Sequence, residues 1–442
     1  MLFVVVAFLS GLGAQPVSEL KPLKIFLLAG QSNMVGYTSV EWVQKNAQEL
    51  VKPRDDVWCY WQRKCAPLAP GMGHKVGPEL PFGHVVGDAT DQPVLLCKFA
   101  SGGTTLHEKW RPPSAVARAG GEIGFLYKNM IKKFYRILSD PGKFCPAYKG
   151  QGYELAGFIW FQGENDCFKE MWNHYEANLK DLIKDVRTAC ASPDLPIIIV
   201  QINDSGVWDK AGGGGPFVRA AQQKVAESDK NADWVNTKDL GEGYHYIDGD
   251  HVTIGRRIGS AMVHFVNKTA VTDPKAIQES RRNLDKLFYP GRGPLPPEPD
   301  VHLSDLKWNK GTAGWGGDPR INKSIEDRPL SIDDKPYAKG IGTHAESELE
   351  YPIEPTCERF VAIAGIDDEM GMRGVPSVVF QVMIDGKKLA ESVVMKPQEV
   401  WHFDVKIPAG SKTLTLKVLE ADSGTNSDHA DWVQAGFVVK KE

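Results

Sequence analysis

The chain divides into an α/β domain built on a doubly wound parallel sheet, followed by an all-β sandwich. Three observations predict this. Short apolar runs without alternation (KIFLLA, PVLLCKFA, LAGFIWFQ and LPIIIVQIN) have the pattern of parallel strands covered on both faces. Between them apolar residues recur at helical spacing: Phe125-Leu126, Met130-Ile131, Phe134-Tyr135 and Leu138, then Tyr175, Leu179, Leu182-Ile183 and Val186. After the Pro-rich stretch YPGRGPLPPEPD the period shifts towards two, in FVAIAGI, SVVFQVMIDGKKL, VWHFDVKIP, TLTLKVLEA and WVQAGFVVK.

Taken in order, MLFVVVAFLSGLGAQPVS at the start has an apolar run, then small residues, then a polar stretch. That pattern predicts a signal peptide and leader over 1–20 and a secreted or periplasmic protein, although a positive first segment is missing. The α/β domain is expected over 21–267, a helical and Pro-rich linker over 268–300, and the sandwich over 301–442. Asp385-Gly386 marks a hairpin turn.

A chain of 442 residues with 42% hydrophobic residues can bury two cores. Its net charge of −4 and lack of a long basic tract argue against nucleic acid or an anionic membrane as partner. Nothing after the first residues is apolar enough to span a bilayer. Seven cysteines leave at least one thiol unpaired; Cys59 with Cys65 and Cys167 with Cys190 are the candidate bridges.

Four segments carry chemistry, each placed where a strand ends, the ligand-binding edge of such a sheet. In IFLLAGQSNMVGY, Ser32 stands directly after the first strand. Its context is not G-x-S-x-G, so it is no nucleophile elbow. In KFASGGTTL, Gly102 and Gly103 let backbone amides approach a ligand closely. In FIWFQGENDC, Gln162 can aim an N–H at a developing oxyanion, whereas Asp166 reads as a helix cap. In YIDGDHVTIGRRIGSAM, Asp248 and His251 are three apart just before a helical pattern. At that spacing the carboxylate reaches one imidazole nitrogen while the other faces a serine.

The order GQSNM, GPELPFG, KFASGGTTL, WFQGEND and DGDHVTIGRRIG resembles the SGNH hydrolase superfamily, a flavodoxin-like three-layer sandwich. More narrowly it is similar to the sialate O-acetylesterase-like carbohydrate esterases, the sixth carbohydrate esterase family. The resemblance covers roughly residues 23 to 267. It implies Ser32 as nucleophile, His251 as general base and Asp248 as its partner. The implied oxyanion hole comprises the Ser32 amide, an amide of Gly102 or Gly103, and the Gln162 side chain. Gln31, Asn33 and Glu164 would line the pocket. Asp250 takes the place of the usual hydrophobic residue before the histidine and is expected to raise the pKa of the base. The implied substrate is an acetylated carbohydrate, hydrolysed through an acyl-enzyme with no catalytic cofactor.

YAKGIGTHAESELEYPI, AIAGIDDEMGMRGVPSVVFQVMIDGKKL and DHADWVQAGF make residues from about 303 to 440 resemble the NPCBM-type carbohydrate-binding modules. That likeness implies a bound glycan, often galactose, and a structural calcium. Asp367, Asp368 and Asp431 are oxygen donors of the type a hard cation takes. Trp308, Trp315, His344, Trp401 and Trp432 are candidates for a sugar site. Two other readings stay open: a glycan-binding protein on a degenerate esterase scaffold, and a lipid or thioester hydrolase, which would want an apolar lid.

Overall fold

The computed structural model describes residues 20–73, 75–204, 206–211, 213–370, 376–421 and 427–441. The leader expected at 1–20 therefore falls outside the described residues, except for its last position. Chain contacts divide the molecule into two compact units, the second running Lys286–Glu442. The division falls within the helix Pro274–Phe288, which occupies the first part of the stretch expected to link the domains. Among the described residues no helix is long and apolar enough to cross a membrane.

The first unit is built on a seven-stranded sheet. Its strands are β1 (Leu23–Gly30), β2 (Val57–Trp61), β3 (Lys64–Pro67), β4 (Val94–Ala100), β5 (Tyr153–Phe161), β6 (Ile197–Val200) and β7 (Ala232–Val235). They lie in the order β3-β2-β4-β1-β5-β6-β7, and every pairing is parallel except β2 with β3. Every residue of β1 and β5 is buried, as their uninterrupted apolar runs require.

The alternation of side chains along β1 sets up two layers. Phe26 and Leu28 belong to a core with Phe82 and Val86 of the helix Glu79–Asp88 and Ile258 and Met262 of the helix Gly249–Val266. Ile25 and Leu27, also buried, face the other way. The chain moves outward to β2 and β4 on one side of β1, then to β5, β6 and β7 on the other. The switch point is therefore at the carboxyl end of β1, with β4 and β5 as its neighbours.

All seven cysteines are free. In the β2–β3 hairpin Cys59 pairs with Ala66 and Cys65 with Tyr60, so the two cysteines alternate onto opposite faces and cannot bridge. Cys167 precedes the helix Trp172–Ala189 and Cys190 follows it, a helix of 18 residues about 27 Å long, and both thiols are free. Neither expected bridge is made.

The second unit is an antiparallel sandwich. One sheet runs in the order Arg320–Ile321, Gly340–His344, His429–Val439, Cys357–Ile366, Trp401–Lys406. The other runs Lys387–Glu391, Val378–Ile384, Thr413–Glu420, Ser347–Pro352, Lys310–Thr312. Val378–Ile384 alternates strictly between buried and half-buried residues. Asp385 (φ 48°) and Gly386 (φ 76°) form the two-residue turn that the Asp-Gly pair predicts.

Candidate active site

Ser32 is the first residue of α1 (Ser32–Val35), a single turn that begins one residue beyond β1. Gly30 permits that approach: a Cβ there would lie 2.0 Å from the Phe161 carbonyl oxygen. At the other end of the turn Lys98 of β4 is buried and donates to the Val35 carbonyl (2.9 Å) and to Glu79 Oε2 (2.6 Å). This gives the GPELPFG segment its role. Glu79 also accepts from the Gly77 amide (3.2 Å), fixing the loop beneath the nucleophile turn.

The imidazole that faces Ser32 is that of His245, with Nε2 3.1 Å from Ser32 Oγ. Tyr37 stacks on this ring at 4.0 Å between centroids and 21° between planes. Burial lowers the His245 pKa below the ordinary histidine value, so the ring is held in the form that accepts a proton. Its Nδ1 bonds to no carboxylate among the described residues.

His251 is placed differently from expectation. It lies in the first turn of the helix Gly249–Val266 and is wholly buried. Nδ1 is 3.4 Å from Thr38 Oγ1 and Nε2 has no hydrogen-bond partner among the described residues, so it does not meet Ser32 Oγ. Burial, with the Lys98 charge adding to it, pushes its pKa down to about 3. The anticipated upward pull of Asp250 is not among the causes of this shift, and Asp250 is itself shifted up by burial. Asp248 is exposed, in a positive-φ conformation (46°), and its backbone carbonyl rather than its carboxylate accepts from Thr38. The structure does not bring Ser32, His251 and Asp248 into one hydrogen-bonded chain.

Gln162 directly follows β5, at the carboxyl edge of the sheet as expected, but is turned inward. Its amide nitrogen faces Gln31 Oε1 (3.1 Å), the Thr104 carbonyl (2.9 Å) and Asp166 Oδ2 (2.7 Å), leaving no N–H for an oxyanion. Sequence reasoning missed Asn165. Its Oδ1 accepts from Gln31 Nε2 (3.0 Å), while its own Nδ2 has no partner among the described residues and is not enclosed. The segment QGEND carries two amides three residues apart, and only the turn after β5 decides which one faces the nucleophile.

Of the two glycines, Gly102 abuts the serine: a Cβ there would lie 3.7 Å from Ser32 Cβ. Gly103 (φ 69°) opens onto free space. Asp166 caps no helix. Its buried carboxylate accepts from the amides of Leu106 (2.8 Å) and His107 (2.9 Å) and so ties down the loop that follows the glycines. Burial raises it to about 6.

Asn33 and Glu164 connect the nucleophile turn to the histidine loop. Asn33 Nδ2 donates to Glu164 Oε1 (2.5 Å), and Asn33 Oδ1 accepts from the amide of Tyr246, next to His245 (3.2 Å). Glu164 is fully buried with Oε2 unpartnered, and burial raises it to about 7.

In the second unit Trp432 is buried against Phe360, Phe380 and Phe403, and Trp401 is buried too; both are core. Trp308 lies edge-on to Tyr351. Trp315 is exposed and stacks on His429 (5.5 Å, 28°) beside His344 (5.8 Å), so it alone of the four tryptophans presents a face with polar neighbours. Among the described residues no three acidic, histidine or cysteine side chains converge on a cation position. Asp368 accepts from Ser331 Oγ and the Asp334 amide (2.6 and 2.7 Å), and Asp367 from the amides of Ser331 and Glu369 (3.1 and 2.7 Å). Asp431 is fully buried beside Asp367, and among the described residues neither of its carboxylate oxygens meets an N–H or O–H donor.

Comparison with known proteins finds matches to two separate stretches of the chain. Residues 299–438 match the NPCBM/NEW2 domain. A protein of Arabidopsis thaliana that bears the name of a carbohydrate esterase is 28% identical over 268 residues, 55% of this chain and 92% of its own length. An alpha-1,3-galactosidase B of Akkermansia muciniphila is 38% identical over 125 residues, 27% of this chain. The chain spans only 15% of that relative's length, and 10% of that of a Renibacterium salmoninarum protein that bears the name of an endo-alpha-N-acetylgalactosaminidase, to which it is 35% identical over 154 residues. The structure of a Clostridium perfringens CBM51 domain in complex with methyl-galactose is 32% identical, covering 31% of this chain and 99% of that one, with a TM-score of 0.29. Residues 22–264, more than half of the chain, match the carbohydrate esterase, sialic acid-specific acetylesterase family: the chain belongs to that family and carries a carbohydrate-binding module behind its esterase domain.

Proposed function

We propose that this protein is a secreted serine O-acetylesterase acting on an acetylated sugar or polysaccharide, of the sialic acid or acetylxylan type, and held on a glycan by its C-terminal module. The observation that carries the reading is the 3.1 Å contact between Ser32 Oγ and His245 Nε2 at the switch point of the sheet. His245 takes the serine proton as Oγ attacks the ester carbonyl. The oxyanion settles on the Ser32 amide, which has no intrahelical acceptor, on the Gly102 amide and on Asn165 Nδ2. His245 returns the proton to the departing sugar alcohol, and water then releases acetate from Ser32. Tyr37, stacked on the ring, orients the base in place of a carboxylate.

A second assignment keeps Asp248 and His251 as orienter and base. It is favoured by the unpartnered Nε2 of His251 and requires that ring to turn towards Ser32. Acetate release from p-nitrophenyl acetate, acetylated xylan and O-acetyl sialic acid separates the two. Ser32→Ala abolishes turnover. His245→Ala lowers kcat by about a hundredfold or more, while His251→Ala costs less than tenfold. The reverse ranking of the two histidine variants assigns the base to His251.

In the second unit Trp315, His344 and His429 are proposed as the sugar-contacting group. Asp431 and Asp367 would hold a structural calcium, since among the described residues the buried Asp431 carboxylate meets no donor.

A further inference from the structure

Between residues 20 and 285, five large apolar side chains among the described residues are 36% or more exposed: Tyr37, Phe217, Tyr244, Ile247 and Val271. Val271 lies against Gly152 at the amino end of β5, on the far edge of the sheet. The other four belong to segments that surround Ser32. Tyr37 stacks on His245; Tyr244 and Ile247 flank it in the chain. Phe217 opens the helix Gly215–Glu227, which packs on the turn that carries Asn165: a Cβ on Gly163 would lie 2.8 Å from Val218.

Each exposed ring is buttressed. Tyr244 lies edge-on to Trp208 (5.0 Å, 76°), and Phe217 is parallel to Trp172 (6.2 Å, 13°). Single exposed apolar residues are ordinary, but four of five lying in segments that meet at the carboxyl edge of the sheet point to a binding surface. Rigid aromatic faces with polar edges suit the C–H faces of pyranose rings. An acyl chain would instead want an enclosed apolar slot.

We infer that Tyr244, and beyond it the Trp172–Phe217 pair, are stacking subsites that seat two or more sugar units of an acetylated glycan across Ser32, so that the substrate is an oligosaccharide or polysaccharide and not a free monosaccharide. The inference rests on the esterase reading above and deepens it.

The test measures kcat/KM of the full chain on acetylated xylo-oligosaccharides, O-acetyl sialic acid, p-nitrophenyl acetate and p-nitrophenyl octanoate. Turnover at Ser32 reports the esterase site, whatever the second unit binds. Tyr244→Ala and Phe217→Ala are each expected to raise KM for the oligosaccharides by about tenfold, a loss several times larger than that on p-nitrophenyl acetate. Tyr244→Trp recovers most of the oligosaccharide activity. Equal losses on oligosaccharide and p-nitrophenyl acetate overturn the subsites. So does a wild-type preference for O-acetyl sialic acid, or losses confined to the octanoate ester, which would make the patch an acyl site. Failure of the wild type to hydrolyse any ester sinks the esterase reading instead, and a soluble variant with unchanged thermal unfolding excludes misfolding as the cause of a loss.

Discussion

His245 and His251 stand six positions apart, and their solvation separates their roles. The helix that carries His251 starts at Gly249, which turns His251 into the core, whereas His245 sits in the preceding loop under Tyr37. Burial lowers both pKa values, and a base is active only when neutral. If His245 is the base, kcat/KM falls with acid only once the pH drops through the lowered His245 value, so the acid limb lies below pH 6.5. A base buried as deeply as His251 would put that limb near pH 3, and a pH–rate profile on p-nitrophenyl acetate distinguishes the two. Asp-x-x-His was readable from the sequence, and so was Ser32 at a strand end. Which histidine faces the serine depends on where the helix begins and on its phase, and neither is written in the spacing.

At the scale of elements, the site is held by short polar ties running between strand ends. Asp166 is the clearest: one carboxylate secures the amides of Leu106 and His107 and also meets the Gln162 side chain. Asp166→Ala leaves the amides of Leu106 and His107 short of an acceptor in the interior, while Gln162 keeps Gln31 Oε1 and the Thr104 carbonyl. The expected cost is roughly 2–4 kcal/mol, read as a lower denaturant midpoint. The loop then loosens behind Gly102, so kcat falls more than KM rises; an unchanged midpoint would refute the tie. The four central parallel strands were legible because burial on both faces forces continuous apolar runs. β7 was not, because Ala232, Asp233 and Trp234 are only half-buried at the sheet edge, and four such residues carry no period. Asp166 was misread as a cap because a carboxylate before a helix looks the same whether its acceptor atoms face that helix or a loop some sixty residues earlier in the chain.

Across the whole molecule, both units bury carboxylates that the fold prefers protonated. Burial raises Glu164 to about 7 and Asp166 to about 6 in the first unit, and Asp428 to about 6 in the second, where Asp431 and Asp367 are raised as well. At these carboxylates the folded state binds more protons than the unfolded state above about pH 4, so their contribution to stability falls as pH rises from about 4 to 7. In the first unit His251 and His245, lowered by burial, act in the opposite sense below pH 6.5, so in a chelator-containing buffer the decline of transition temperature from about pH 5 to 7 is expected in the second unit. Glu164→Gln removes the Glu164 share of the loss from the first unit and makes its transition temperature rise more steeply from pH 5 to 7 than in the wild type. The second unit carries a further consequence. Both Asp431 and Asp367 are shifted up, so as pH rises and the pair gives up its proton, a calcium ion would relieve the repulsion between two carboxylates with no donor for Asp431 among the described residues. Millimolar calcium is thus expected to raise the transition of the second unit by several degrees at pH 8 and much less at pH 5, and Asp431→Asn should remove the difference. A calcium response of the same size at both pH values would place the cation elsewhere; no response at either would leave the pair to be held by a shared proton alone.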